Sequence, residues 1–413
     1  MLDIKFIREN PDEVKKNLLR RHKDMTMVDN ILEIDKDRRE LIVIVDELKA
    51  QRNKISKKPT QEEIEVLQKV KKDLDLHERR LSELEKIFQE LILGLPNLLD
   101  AQVPDGKDDS ENQVLKNVGE PPVFGFEPKD HLELGKMHNL LDFERGAKVA
   151  GSGFFYEKNE LALLDLALQK YALEKLRSKG FQVVITPDMA KDNILHGTGY
   201  MPRGPETQIY SIENKDLGLI GTSEITIGGY HSDEILSLEQ LPLKYVGFSH
   251  CFRTEDGSYG KYAKGLYRVH QFSKVEMFIF CQPEDSEKHH QEMLSIEEEI
   301  FQELKLPYRV LLQCAGDVGA PCAKTYDIEA WMPSRKTYGE VTSTSNTTSF
   351  QSRRLNIRYK NINAENDFVH MLNGTTMTNS RIPLAILENY QQADGSIKIP
   401  EALVKYTGFD KIG

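Results

Sequence analysis

The stretch CFRTEDGSYGKYAKGLYRVHQFSKVEMF, residues 251–278, carries arginines, carboxylates and a phenylalanine on two apolar runs joined by a loop. Residues 250–253 and 266–280 are rich in aromatic and β-branched side chains, whereas 254–265 holds three glycines, polar residues and lysines, so the segment predicts an antiparallel hairpin. In the second strand a period of two puts Arg268, His270, Phe272, Lys274 and Glu276 on one face and Val269, Val275, Met277 and Ile279 on the other. At about 3.3 Å per residue, Phe272 and Glu276 stand roughly 13 Å apart, far enough for one to touch a base while the other meets a distant substrate group. The pattern fits a site for an elongated ligand such as a nucleotide adduct, and it also fits a surface ladder of cross-strand ion pairs.

The 413 residues exceed one ordinary core and predict two or three domains. With 39% apolar and 29% charged residues the composition is globular. No apolar run approaches the roughly 20 residues of a membrane span. The start, MLDIKFIREN, has no basic-then-apolar signal pattern, which predicts a cytoplasmic chain with no membrane partner. Cys251, Cys281, Cys314 and Cys322 show no CxxC or Cys/His ligand spacing, so neither zinc nor disulfides are expected. The net charge of −11 weakly opposes nucleic-acid binding, but it is unevenly spread: residues 1–100 carry 21 basic and 22 acidic side chains, leaving 34 and 44 for the remainder.

Ile34, Leu41, Leu48 and Ile55 recur every seven residues with Ile31 and Val45 between them, although Arg38 and Arg52 interrupt the second seam position. Leu67, Val70, Leu74, His77, Leu81, Leu84, Phe88, Leu91 and Leu95 alternate steps of three and four, the coiled-coil spacing. Lys57-Lys58-Pro59-Thr60 breaks the pattern between the two series, and Thr60 with Glu63 forms a capping-box start. An antiparallel helical hairpin over about 28–95 is therefore expected. Residues 49–72 hold eight basic side chains against three acidic ones. A projecting basic tip can lie along a phosphate backbone, and an ordinary coiled-coil arm with solvated lysines has the same composition.

A connector punctuated by proline and glycine, residues 103–122, follows. The domain boundary is drawn there, giving an amino-terminal unit 1–104 and a second unit 105–413. In the second unit Asn159 is expected to cap a helix reaching Ser178, Gly180 to stop it, and FQVVITP to follow as a strand. The unit reads as a mixed α+β domain rich in antiparallel strands.

Three further segments accompany the hairpin: LIGTSE at 219–224, YGEVTSTSN at 338–346 and LNGTTMTNSRIPLAILENYQ at 372–391. In that order they resemble the class II aminoacyl-tRNA synthetases, and their wording resembles the seryl-tRNA synthetases among them. The helix and strand ending at Pro187 resemble that class's first motif, the segment around Arg253 its second and the segment around Arg381 its third. The helical hairpin resembles the family's tRNA-binding arm. Spanning essentially the whole chain, the resemblance implies an α+β fold in which helices flank a class II antiparallel β-sheet catalytic domain, with an amino-terminal coiled-coil hairpin.

The resemblance also implies an activity: L-serine and ATP give seryl-adenylate and pyrophosphate, and the seryl group passes to the 3′-terminal adenosine of tRNA(Ser), in many members also of tRNA(Sec). Arg253 and Arg381 are then the catalytic arginines. Arg253 would bridge the serine carboxylate and the α-phosphate, and Arg381 would meet the γ-phosphate, roles that suit planar, permanently charged groups. Glu255 is implied to accept from the adenine amino group, Phe272 to stack on the base and Val269 to offer its backbone. Thr254, Arg268, Val341 and Thr342 complete the implied ATP site, and Glu340 and Ser343 are implied to hold Mg²⁺ through hard oxygen ligands. Serine would be held by Thr222, Ser223, Glu224, Arg253, Glu276 and Thr375, and Asn373 is either a site residue or a turn residue in LNGT. Polar partners for the serine hydroxyl would penalise alanine, which leaves them unpaired. Arg52, Lys54, Lys57, Lys58, Lys69, Lys71 and Lys72 are the implied tRNA contacts, and a homodimer paired through the first motif is implied. His196, His250 and His270 are expected to be structural or tRNA-facing.

A carrier-protein aminoacylating relative would lack the arm and use zinc. A silent RNA-binding paralogue would have lost Arg253, Glu255, Glu276, Glu340 or Arg381, and all five are present. Two departures stand out. The arm is shorter than usual by about one to two heptads, roughly 10 Å of reach at 1.5 Å per residue. TSTSN stands where SSCSN is usual, and EVTSTSNTTSF is expected as a flexible, hydroxyl-rich loop.

Overall fold

The computed structural model describes residues 1–55, 60–200, 208–255 and 265–413. The chain divides into two compact units, Met1–Leu98 and Leu99–Gly413. The boundary drawn from the connector lies a few residues inside the second.

In the first unit, α1 (Ile4–Glu9) and α2 (Pro11–Arg20) pack beside two long helices, α3 (Thr26–Lys54) and α4 (Gln61–Gly94). The long pair is antiparallel: Met27 lies beside Gly94, the Arg38 guanidinium over Phe88 at 4.8 Å, and Lys49 reaches Glu78 at 3.0 Å. Thr60 and Glu63 form the expected reciprocal capping box at the start of α4. Ile7, Val14, Leu18, Val28, Ile31, Phe88, Ile92 and Leu95 form the core at the base. Arg38, which interrupts the seam, is accommodated because its guanidinium stacks on Phe88 and also meets Asp35 at 3.5 Å.

Asp35 is a fully buried carboxylate in this unit. It accepts from Arg8 at 2.7 and 2.9 Å and from Arg39 at 3.0 Å, tying α1 to α3. Burial alone would push its carboxyl up, but hydrogen bonds and charge from Arg8 and Arg39 outweigh it and hold it below the ordinary carboxylate range.

The second unit is built on an eight-stranded sheet: β1 (Gln113–Val118), β2 (Gln182–Ile185), β3 (Leu243–Phe252), β4 (Gln271–Cys281), β5 (Tyr308–Leu312), β6 (Lys324–Met332), β7 (Thr337–Asn346) and β8 (His370–Thr378). Their spatial order is β1-β5-β6-β7-β8-β4-β3-β2, antiparallel throughout except for the last pair. Around it stand α5 (His131–Met137), α6 (Asn159–Ser178), α7 (Asp192–Thr198), α8 (Ser223–Gly228), α9 (Ser286–Glu303), α10 (Phe350–Leu355) and α11 (Arg381–Asn389). Val275, Met277 and Ile279 of β4 pack in one core with apolar residues of α6, α9 and α11. Their neighbours of opposite parity, Phe278 and Phe280, belong to a separate cluster with Ile227, Leu236 and Leu355. The expected alternation thus holds within the strand.

Its start differs from expectation. Residues 265–267 form a 3₁₀ turn, and Arg268, Val269 and His270 precede the strand. Their backbone groups go elsewhere: Leu266 N–H donates to His131 Nε2, Arg381 Nε donates to the Tyr267 carbonyl, and His270 N–H donates to Gly153. Gly265 begins the turn with φ +73°, and a Cβ there would meet His131 Nε2 at 2.1 Å.

Three smaller expectations also change. Of residues 340–350, expected as a loop, 340–346 belong to the inner strand Thr337–Asn346, whose hydroxyls are used, with Thr325 and Ser345 2.9 Å apart and Thr342 donating to Glu297. Asn159 is the first residue of its helix, at φ +52°, and Lys158 is the cap. Asn373 lies within β8 rather than in a turn.

Replacing Asp35 by alanine should lower the opening free energy of α1 and α3 by about 2 kcal/mol near neutral pH, a value below that of a fully buried pair because the arginines keep solvent contact. Since the native carboxyl is depressed, this contribution is complete above the unfolded pKa and fades as pH falls through the native one. Amide exchange of the full-length chain at neutral and acidic pH measures both effects.

Candidate functional site

A cavity of about 430 Å³ opens on the sheet face that carries Phe272, Lys274 and Glu276, and its wall also includes Tyr200, Glu224, Arg253, Glu255, Arg268, Glu340, Ser343, Asn373, Thr375 and Arg381. Residues far apart in sequence thus meet because β4, β7 and β8 run side by side.

At one end the guanidinium groups gather. Arg253, one residue past β3, lies over the Phe272 ring at 5.2 Å and donates to the Gly221 carbonyl at 3.4 Å. Arg268 meets Glu255 at 2.8 Å, with Glu255 held at φ +53°. Arg381, at the first turn of α11, donates to the Glu340 backbone carbonyl, meets its carboxylate at 3.1 Å and stacks over Tyr267 at 4.5 Å. Burial pushes the Glu340 carboxyl up, but Arg381, then Arg253 and Arg268, outweigh it and hold it below the ordinary range. Val269 and Val341 are buried along the same wall.

Glu340 and Ser343 share a face although they are three apart in a strand, where a period of two would separate them. The β6–β7 register shifts between Ile328 and Glu329, and Val341 is the extra residue. Thr342 therefore falls on the other face, paired with the core residue Ile328, and borders the cavity with its hydroxyl committed to Glu297 at 3.0 Å. Opposite Ser343 in the register is Asp327, one of whose oxygens accepts from Gln313 at 2.8 Å while the other meets no donor among the described residues. Burial, then the charge of Glu340, pushes the Asp327 carboxyl well up.

At the other end lie two buried carboxylates with unlike partners. Glu276 meets the Lys274 ammonium at 2.6 Å and accepts from Thr375 at 3.1 Å. Glu224 accepts from the Tyr200 hydroxyl at 2.9 Å and from Gln351 at 2.7 Å. Gln351, fully buried in α10, is itself fixed by donating to Thr198 O at 2.9 Å and accepting from Thr347 at 3.2 Å. Burial and the charge of Glu276 push the Glu224 carboxyl up, opposed by Lys274, Gln351 and Tyr200. The Asn373 side-chain nitrogen is buried on the same wall without a partner among the described residues.

Thr222, Ser223 and Thr254 do not line the cavity. The Thr222 hydroxyl caps α8 through Glu224 N–H at 3.1 Å, Ser223 packs against Gly247, and Thr254 is turned to Gln208. His250 pairs with Asp188 at 2.8 Å, and His270 stacks on Phe154 and meets Tyr210 at 2.7 Å. In the first unit Arg52, Lys54, Lys69, Lys71 and Lys72 are all exposed or partly exposed, and Lys57 and Lys58 lie outside the described residues. Tyr200 and Gln351 had no signal in sequence, being single polar residues whose value lies in a tertiary hydrogen bond. Lys274 was on the predicted face, but strand parity assigns it no role.

Residues 1–99 match the family model for the seryl-tRNA synthetase N-terminal domain, and residues 208–390 match that for the tRNA synthetase class II core domain (G, H, P, S and T). The serine–tRNA ligases of Dictyoglomus turgidum and Treponema denticola are 52% and 50% identical to this chain, covering 100% of it and 99% and 100% of their own lengths. Among solved structures, seryl-tRNA synthetase from Pyrococcus horikoshii complexed with ATP superposes with a TM-score of 0.93 at 40% identity, over 100% of this chain and 99% of that one. Identity at this level over the full length, with both units matched, means that the chain belongs to the seryl-tRNA synthetase family of class II aminoacyl-tRNA synthetases.

Proposed function

We propose that this serine–tRNA ligase joins its substrates at the cavity of the second unit, with Arg253 between them. The observation that carries the proposal is the lining of that cavity, which joins Arg268 and Arg381 beside Glu340 to the Glu224 and Glu276 carboxylates and the Thr375 hydroxyl, with Arg253 acting both on Glu340 and on Tyr200, the partner of Glu224. Arginines suit the phosphates of ATP, and carboxylates with a hydroxyl suit the ammonium and hydroxyl of serine.

A serine carboxylate oxygen attacks the α-phosphorus, the new P–O bond forms as the bond to pyrophosphate breaks, and seryl-adenylate results. Two anions must approach each other in this step, so a fixed guanidinium between them lowers the barrier by positioning and by stabilising charge at phosphorus. Arg381 receives the charge that leaves on pyrophosphate. In the second step a ribose hydroxyl of the terminal adenosine of tRNA attacks the seryl carbonyl, the ester C–O bond forms as the bond from that carbon to the phosphate oxygen breaks, and AMP leaves, its phosphate taking up the hydroxyl proton. Phe272 offers its ring to the base, Glu255 accepts from the adenine amino group, and Val269 offers backbone.

Glu340 and Ser343 fit Mg²⁺, since the carboxylate is held ionised and shares a face with a hydroxyl, both hard oxygen donors. Bound there, Mg²⁺ would neutralise phosphate charge. Glu224, Glu276, Thr375 and the Asn373 amide hold serine. Thr222 and Ser223 act indirectly by fixing α8, and Thr254 by fixing the turn after Arg253. The basic residues at the end of the α3–α4 hairpin bind tRNA(Ser), and tRNA(Sec) is a second candidate acceptor. No helix among the described residues is long and apolar enough to cross a membrane, and a cytoplasmic location fits the reaction.

A homodimer is supported by Leu163 and Leu166 of α6 and by Val183 and Ile185 of β2, apolar side chains left exposed on a helix and on the adjoining edge strand.

Serine-dependent ATP–pyrophosphate exchange tests the site. Serine should support exchange and alanine and threonine should not, and Arg253→Ala should lower kcat/KM by roughly 10²–10³; absence of exchange with serine overturns the proposal. Replacing Arg52, Lys54, Lys69, Lys71 and Lys72 by alanine should leave exchange intact while raising the KM for tRNA, and the log–log salt slope should flatten by about one for each phosphate no longer neutralised. Leu166→Asp with Ile185→Asp should halve the mass measured by light scattering.

A further inference from the structure

Lys274 is a group of the cavity that adenylate chemistry does not call for, a cation buried at the end that would receive a substrate ammonium. Its side chain is 7% exposed and that of Glu276 is 2% exposed, with 2.6 Å between their charged atoms. Lys274 Nζ also donates to Thr375 Oγ1 at 3.3 Å, and Thr375 donates to the same Glu276 oxygen, Oε2, at 3.1 Å. Lysine, threonine and carboxylate thus close a triangle that belongs to two neighbouring strands, β4 and β8, whose register sets Thr375 opposite Glu276.

The surroundings are rich in acid. Glu224 on α8 and Glu297 on α9 are buried, and both carboxyls are pushed up, first by burial and with Glu276 adding to the rise. Asp327 on β6 adds to the rise at Glu297, and Lys274 opposes the rise at both. Arg253 is a second nearby cation, acting on Tyr200 and Cys251. Without a fixed cation, three buried carboxyl groups would repel one another and take up protons, and the Glu276 side chain would lose the partners that hold its rotamer.

We propose that Lys274 is a positioning residue for serine recognition: by pinning Oε2 of Glu276 together with Thr375, it presents Oε1 to the amino acid in one orientation. The substrate hydroxyl then meets an oriented carboxylate, and the ammonium a pocket whose excess negative charge has already been reduced. The lysine acts through Glu276, not on the reacting atoms. This rests on the amino-acid end of the cavity being the one proposed above.

The test is pyrophosphate exchange by the full chain carrying Lys274→Met, Lys274→Arg, Glu276→Gln or the Met/Gln double substitution, with KM measured separately for serine and ATP. Lys274→Met should raise the serine KM by about thirtyfold or more and leave the ATP KM nearly unchanged. The acid limb of kcat/KM for serine should move to higher pH, because Glu224 and Glu297 lose the cation that opposes their protonation. Lys274→Arg should keep the acid limb where it is and still raise the serine KM, since the wider fork displaces Glu276. In the Glu276→Gln background, Lys274→Met should add little. Equal loss toward serine and ATP, full additivity of the two substitutions, or a normal serine KM for Lys274→Arg each overturns the inference; the last applies even where Lys274→Met does not fold. An unchanged serine KM in Glu276→Gln would instead remove the assignment of the amino-acid end.

Discussion

Arg381 meets Glu340 at 3.1 Å, Arg268 meets Glu255 at 2.8 Å and Lys274 meets Glu276 at 2.6 Å, and this pairing of opposite charges inside a concave site is what the rest of the second unit is arranged around. A charge taken out of water loses several kcal/mol of solvation unless a partner replaces it. Two pairs join different stretches of chain, α11 to β7 and the segment before β4 to the segment after β3, and the third lies within β4 with Thr375 of β8 as a third member. The sheet therefore has to keep its register, because a slip of one residue would turn these side chains into the apolar core. On the proposed chemistry, ligand groups compete for the same partners: the anionic phosphate with Glu340 for Arg381, and the neutral adenine amino donor with Arg268 for Glu255.

Two irregularities adjust the sheet to this purpose. The shift between Ile328 and Glu329 inserts Val341, so Glu340 and Ser343 come to one face despite an odd spacing. A second shift, between Thr375 and Met377 on β8, lets Thr375 reach Glu276 while Met377 stays in the core. Strands of strict period two would give neither arrangement.

Those irregularities also mark where the sequence stops being legible. The helical hairpin is readable because steps of three and four along Leu67–Leu95 are a local property, and Thr60 and Glu63 cap by contacts within one turn. The face of β4 is readable for the same reason. Residues 266–270 look like strand because all but Arg268 are apolar or aromatic, yet their backbone partners are His131, Arg381 and Gly153, which no periodicity can foresee. EVTSTSN looks like a loop because hydroxyl residues favour turns, and it is a strand because those hydroxyls find cross-strand and helix partners. Glu340 and Ser343 were reached through family resemblance, whereas the bulge that brings them together is visible only in the fold. Gln351 and Tyr200 had no signal at all, since a buried amide holding a carboxylate looks in sequence like any other amide.

The unlike treatment of Glu276 and Glu224 has a consequence for selectivity. Glu276 is held by a cation and a hydroxyl, and Glu224 by two neutral donors under the repulsion of Glu276. A carboxylate balanced by neutral donors gains most from an added positive charge, whereas one already paired with an ammonium gains less from charge and more from a hydrogen bond in a fixed direction. On the proposed assignment the substrate ammonium is drawn toward Glu224, and the hydroxyl finds its acceptor in the oriented group formed by Glu276 and Thr375. Alanine satisfies the first demand and fails the second, leaving a desolvated acceptor unmet, and a loss of that kind discriminates more strongly than the absence of a methyl group. Dividing charge recognition from hydroxyl recognition between two carboxylates makes the smallest polar side chain the distinguishing feature of the substrate.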